Sequence, residues 1–217
     1  MKESQKLFIA ILCGTMMALV FSGCNTTPPM SPLQKAATEI VLKDPANPER
    51  WVEYGRACLL SDNPYGAELA FKKAIQLNEK YIPAYKHLGL VLVTLQRQSE
   101  AEEVYKQALK ISDSDSELWT AYGYCLIDLD KDKQALEAFQ WSISLNTNPT
   151  SVISARLGAS ALLRRQGDEV GAQQEYEQAV KVSPEIVRIL NEQKDVENKQ
   201  TFGQSDVGYN SPESSDL

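Results

Sequence analysis

Along the middle of the chain, apolar residues recur at helical spacing in short blocks parted by polar breaks. Trp51-x-x-Tyr54-Gly55 marks one block, and Ala67-x-x-x-Phe71 with Ala74 marks the next. The spacing places each set on one face of a helix, and breaks such as Asn63-Pro64 supply a cap and a first helical residue. Read this way, first helices lie over 48–60, 82–95, 116–129 and 151–165. Second helices lie over 64–77, 98–110, 132–145 and 169–182. The chain is all-α from end to end of this region.

The blocks are copies of one another. Tyr85-x-x-Leu88-Gly89 with Ala101-x-x-x-Tyr105 and Ala108 follows 34 residues after the first set. Trp119-x-x-Tyr122-Gly123 with Ala135-x-x-x-Phe139 follows 34 residues later again, and Ser142 takes its last small-residue slot. A looser fourth copy reads Leu157-Gly158, Ala172-x-x-x-Tyr176, Ala179 and Pro184. This resembles the tetratricopeptide repeat (TPR) family, a helix-turn-helix unit of about 34 residues with these residue types at fixed offsets. The resemblance implies a right-handed superhelix of four units, about 48–81, 82–115, 116–150 and 151–184, within a domain over 33–190. Each glycine leaves room for the second helix of its unit, each alanine does the same from the other side, and the aromatics fill the space between units. A single unit cannot bury its apolar face, so units stack. Two extra residues between Gly158 and Ala172 predict a longer turn in unit four.

The flanks differ in character. Lys2 and Lys6 followed by the apolar run from Leu7 to Val20 read as a signal segment over 1–23. Its end, Phe21-Ser22-Gly23-Cys24, resembles a bacterial lipoprotein signal, which implies lipid on Cys24. Asn25 is not the Asp associated with inner-membrane retention, so the resemblance implies an outer-membrane anchor facing the periplasm. The Pro-rich stretch 24–32 reads as a tether. Leu33, Ala37, Ile40 and Val41 share one face of an N-terminal capping helix, and Ile186, Ile189 and Leu190 share one face of a C-terminal cap. From 191 to 217 six acidic residues face two lysines with few apolar ones, a composition that predicts a disordered acidic tail.

Charge and composition narrow the function. Without residues 1–23 the chain carries 20 basic against 28 acidic side chains, a balance unsuited to nucleic acid. Cys58 and Cys125 sit on first helices two units apart, too distant for a disulfide. His87 is the single histidine, and no metal spacing, phosphate loop or nucleophile elbow accompanies it. No enzyme, metal or cofactor is expected.

The resemblance then implies where a partner would lie, on the inner wall formed by first helices. The family's wall positions fall here on Val52, Arg56, Leu59 and Leu60; on Lys86, His87, Leu90, Val93 and Thr94; on Thr120, Tyr124, Ile127 and Asp128; and on Ala155, Ala159, Leu162 and Leu163. Arg56, Leu59, Lys86, His87, Leu90, Val93, Tyr124, Ile127 and Leu162 are the expected groove contacts, an apolar trough with a basic spot at Arg56, Lys86 and His87. Lys86 matches one slot of the family's carboxylate clamp, but Leu90 stands where its Asn would be. Such a trough suits an amphipathic or extended peptide. The expected function is a membrane-anchored interaction scaffold resembling pilotin-type lipoproteins, with a secretin or pilus component in the groove. An adaptor for cell-wall hydrolases or outer-membrane assembly is the other scaffold reading, and a small-molecule-binding or enzyme subunit is the different class.

Overall fold

The computed structural model describes residues 31–185, 187–189 and 192. The expected signal segment, Cys24, nearly all of the tether and nearly all of the acidic tail lie outside them. Among the described residues nine helices follow one another: α1 (Pro32–Lys43), α2 (Pro48–Leu60), α3 (Pro64–Leu77), α4 (Ile82–Thr94), α5 (Gln98–Ile111), α6 (Ser116–Ile127), α7 (Asp132–Leu145), α8 (Pro149–Arg165) and α9 (Glu169–Val182). Three of them start alike. Asn47, Asn63 and Asn148 each accept a backbone N–H of the first turn, and the proline that follows each begins the helix.

Helices pair as α2/α3, α4/α5, α6/α7 and α8/α9, and each pair packs on the next. The glycines explain how closely. A Cβ on Gly55 would stand 2.4 Å from the Phe71 ring, one on Gly89 would stand 2.4 Å from Tyr105, and one on Gly123 would stand 2.6 Å from Phe139. Gly158 breaks the series, because its neighbour at 2.6 Å is again Phe139 of the preceding unit and not Tyr176. Phe139 is therefore clasped by two glycines, one on α6 and one on α8.

The turns inside the units are a second repeated device. Asp62, Gln96, Asp130 and Gly167 all have positive φ, between 49° and 84° with the helix-ending Asn146 included. Behind each lies the same pair of bonds: Asp62 N–H to Leu59 and Asn63 N–H to Cys58, repeated at Gln96/Arg97, Asp130/Lys131 and Gly167/Asp168. These are Schellman endings, which satisfy the last carbonyls of a helix with a left-handed residue. Because that ending has a fixed length, the two extra residues of unit four extend the C-terminal end of the 17-residue α8 and leave its turn short. The expected longer turn is absent for this reason.

The large residue opening the first helix of units one to three has a polar duty as well. Trp51 Nε1 donates to the Pro45 carbonyl at 2.9 Å, Tyr85 Oη to Glu79 at 3.0 Å, and Trp119 Nε1 to Asp113 at 2.7 Å. Each reaches back six residues into the loop joining units. A bonded polar tip lets a big ring be buried without an orphan donor.

Neighbouring units are also pinned by side chains. Arg97 Nη1 lies 2.8 Å from Glu68 Oε2, and Lys131 Nζ lies 2.6 Å from Glu102 Oε2, one rung per junction and one repeat apart. Glu68 and Glu102 are buried, and each also holds a lysine of its own helix, Lys72 or Lys106. The third junction pairs Arg165 of unit four with Asp132 of unit three and adds a set of hydroxyls. Thr120 Oγ1 lies 2.7 Å from Ser142 Oγ and 3.1 Å from the Ser151 carbonyl, while Ser116 bonds Thr147 and Asn148.

Both caps differ in detail from their expected faces. Ser31 caps α1 and Pro32 is its first residue, so the tether stops earlier than expected. Gln34, Ala37 and Val41 are buried there while Leu33 is exposed, because the Gln34 side chain turns back onto the Ser31 N–H and its stem packs inward. At the other end Val187 packs with Ile153 and Ala179 and Ile189 is exposed, while Ile186 and Leu190 of the expected face lie outside the described residues. Cys58 and Cys125 are both buried thiols.

Candidate functional site

First helices touch the next first helix along the stack, whereas second helices scarcely reach one another. The first helices therefore form the inner wall and the second helices the outer one. On that wall, repeat-equivalent positions make two rows across units one to three. Arg56, Leu90 and Tyr124 form one row, and Leu60, Thr94 and Asp128 form the other, one helical turn further on. All six are exposed, and the Thr94 hydroxyl turns onto the Leu90 carbonyl. Leu60 keeps 79% of its surface, Leu90 54% and Tyr124 42%, a large apolar exposure for residues on one face.

The remaining expected contacts divide into groups. Leu59, Val93 and Ile127 are half-buried and pack into the core, so each presents only an edge to the wall. Leu162 is buried with Ala155 and Ala159, and none of the three lines a groove. The cause is packing: α8 sits against α6 more closely than any other pair of first helices does, and small side chains allow it. Tyr124 Oη seals this end by donating to the Ser154 carbonyl at 2.8 Å. Burial pushes the Tyr124 phenol up to about 12, so it stays a donor at neutral pH. The open wall thus spans three units and not four.

The expected basic spot also shrinks. Lys86 Nζ lies 3.1 Å from Asp115 Oδ2 and 2.5 Å from Glu117 Oε2 on α6 and its cap, so its charge is already matched. Burial opposes the charged form, but the two carboxylates outweigh it and hold Lys86 above the usual lysine range. His87 stacks on Phe71 with ring centres 5.3 Å apart. Burial, helped by Arg56 and Lys86 nearby, lowers its pKa, so it is neutral at pH 7. Among the described residues Arg56 has no side-chain hydrogen bond or ion pair, so its charge on this wall is unmatched. The Lys86 pairing was findable in principle, since its partners lie 29 and 31 residues on, close to one repeat.

At the far corner Asp128 ends α6 with no side-chain partner among the described residues, and burial pushes its carboxyl above the usual range. On the outer wall Trp141 is exposed and stacks on Trp119, ring centres 5.9 Å apart. The described residues enclose no deep cavity. Two depressions, one beside Arg50 and one beside Trp141, are shallow and open. No group of three or more potential metal ligands occurs among the described residues.

Comparison with known proteins agrees with this architecture. The family described as the Cilia and flagella-associated protein 70 middle TPR-like domain matches residues 35–117. Human cilia- and flagella-associated protein 70 is 33% identical over 64 residues, which is 30% of this chain and 6% of that protein. The crystal structure of MamA superposes with TM-score 0.61 at 19% identity, over 71% of this chain and 89% of that one. TTC0263, a thermophilic TPR protein of Thermus thermophilus, superposes with TM-score 0.60 at 18% identity, over 70% and 81%. The fold is a TPR-like superhelical arrangement of antiparallel helices.

Proposed function

We propose that the chain is an interaction scaffold that holds a polypeptide segment along the inner wall of its first three units. The observation that carries this reading is the exposed apolar set Leu60, Leu90 and Tyr124 on first helices, beside a matched Lys86 and a neutral His87. An open wall of this kind offers area and side-chain pockets, not the enclosed set of converging polar groups that small-molecule chemistry needs. A photo-crosslinking amino acid at Leu90 should give a protein adduct in cells, and one at Lys73 on the outer helix should not. Adducts from both alike, or from neither, refute the inner wall as the site.

The finer reading is a lipid-anchored factor for pilus or secretion assembly at the outer membrane. Its support is the sequence Phe21-Ser22-Gly23-Cys24 and the basic, apolar stretch before it. A second reading, a scaffold associated with cilia or flagella, is supported by the match over residues 35–117. That support takes in the N-terminal cap and the first two units of the chain. Labelling with a clickable fatty acid separates the two: label on the full chain that vanishes in Cys24→Ala favours the anchored factor. An unlabelled chain removes the anchor and leaves the second reading.

A further inference from the structure

The inner wall is apolar in its middle and oppositely charged at its two corners. Arg56, on unit one, is exposed and forms no hydrogen bond or ion pair among the described residues. Asp128, two units along and one turn further down its helix, is likewise without a side-chain partner among them. Between the two lie Leu60, Leu90, Thr94 and Tyr124. Two charges beside this strip are matched: Lys86 by Asp115 and Glu117, and Glu53 by Arg50. His87 is neutral because it is buried on Phe71.

We propose that this wall selects a bipolar segment: apolar residues in the centre, a carboxylate at the end meeting Arg56, and an ammonium or guanidinium at the end meeting Asp128. This rests on the scaffold reading above and adds the chemistry of the partner. Packed first helices stand about 8–10 Å apart, so two layers separate the charged corners by roughly 16–20 Å. About 12 residues of helix span that distance at 1.5 Å each, and the apolar strip is as wide as one helical face. The closed junction at Tyr124 and Ser154 ends the strip next to Asp128, which fixes the basic end of the partner at unit three. Apolar burial supplies the attraction, and the corner charges set the orientation and reject segments of a single sign.

Three fluorescent helical peptides of about 12 residues test this, all with the same leucine face. One carries Glu at one end and Lys at the other, one carries Glu at both, and one carries Lys at both. Anisotropy titration of the full chain at low salt should rank the mixed peptide first, by about two- to five-fold per matched end, the range of exposed ion pairs. Asp128→Lys should move the preference to the two-Glu peptide, and Arg56→Glu to the two-Lys peptide. Both residues are exposed, and circular dichroism of each variant checks that the fold is kept. If the ranking is the same in all three proteins, the bipolar proposal is wrong. Leu90→Asp separates that failure from a deeper one. Weakened binding of every peptide keeps the scaffold reading, while unchanged binding, or no binding of any peptide by the unaltered chain, removes both.

Discussion

Phe139 is fully buried between two glycines, and that arrangement predicts a substitution whose sign depends on its neighbour. Gly158→Ala gains helix propensity of about 1 kcal/mol. It also puts a methyl 2.6 Å from the Phe139 ring, which is pressed from the other side by Gly123 and edge-on by Tyr124 at 5.1 Å. A ring held that way cannot swing aside, so overpacking costs about 1–3 kcal/mol and the single variant loses about 0–2 kcal/mol net. Phe139→Leu alone costs roughly 1–2 kcal/mol for the lost apolar carbons. In that background the obstacle is gone, and Gly158→Ala should now add up to about 1 kcal/mol. The coupling between the two sites is therefore about 1–3 kcal/mol and favourable. Urea unfolding followed by far-ultraviolet circular dichroism measures all four proteins, and amide exchange in α7 and α8 localises the effect. If Gly158→Ala has the same sign and size in both backgrounds, the ring is not what forbids a side chain there.

Two further outcomes follow from the turns and the rungs. Gln96 holds φ 59°, and its side chain makes one long, exposed bond, accepting from Gln98 Nε2 at 3.3 Å. Gln96→Gly should raise stability by about 0.5–1 kcal/mol, the left-handed penalty less glycine's extra chain entropy, and an unchanged urea midpoint would refute this. Glu68 and Glu102 have carboxyls held below the usual 4.5, since burial raises them but Lys72 with Arg97, and Lys131 with Lys106, pull them further down. Their folded pKa values are depressed, so their stabilisation is complete above 4.5 and fades as pH falls through the lowered values. Glu102→Gln should cost about 1–3 kcal/mol at pH 7 and less at pH 3. Equal losses at both pH values would show that charge plays no part.

The helices were legible because the slots that define a unit must hold particular volumes, and Gly55, Ala67 and Phe71 repeat in register wherever two helices touch. What the slots do not encode is how one unit leans on the next. Lys86 reads as a groove cation until α6 brings Asp115 and Glu117 to it. Leu162 reads as a wall residue until the small Ala155 and Ala159 let α8 press onto α6. The two surplus residues of unit four read as loop because a Schellman ending cannot be recognised when its left-handed residue is Asp or Gln in the other units. Leu33 and Gln34 exchanged places for a local reason, a capping bond that outweighed a side chain's polarity. Leu60, Leu90 and Tyr124 fell on wall positions that the repeat itself designates.

The rungs give the chain a grammar of insertion. Unit two carries both halves of the connection, Arg97 facing back to Glu68 and Glu102 facing forward to Lys131. A tandem duplicate of residues 82–115 would meet itself through the same acid and base and would leave the joints on either side intact. Unit three ends this series of rungs, because Leu136 stands where the next carboxylate would be and its forward joint runs through Thr120, Ser151 and a differently placed pair, Asp132 with Arg165. The molecule can thus grow by whole layers, roughly 8–10 Å at a time, at one internal place and without redesign of any other joint.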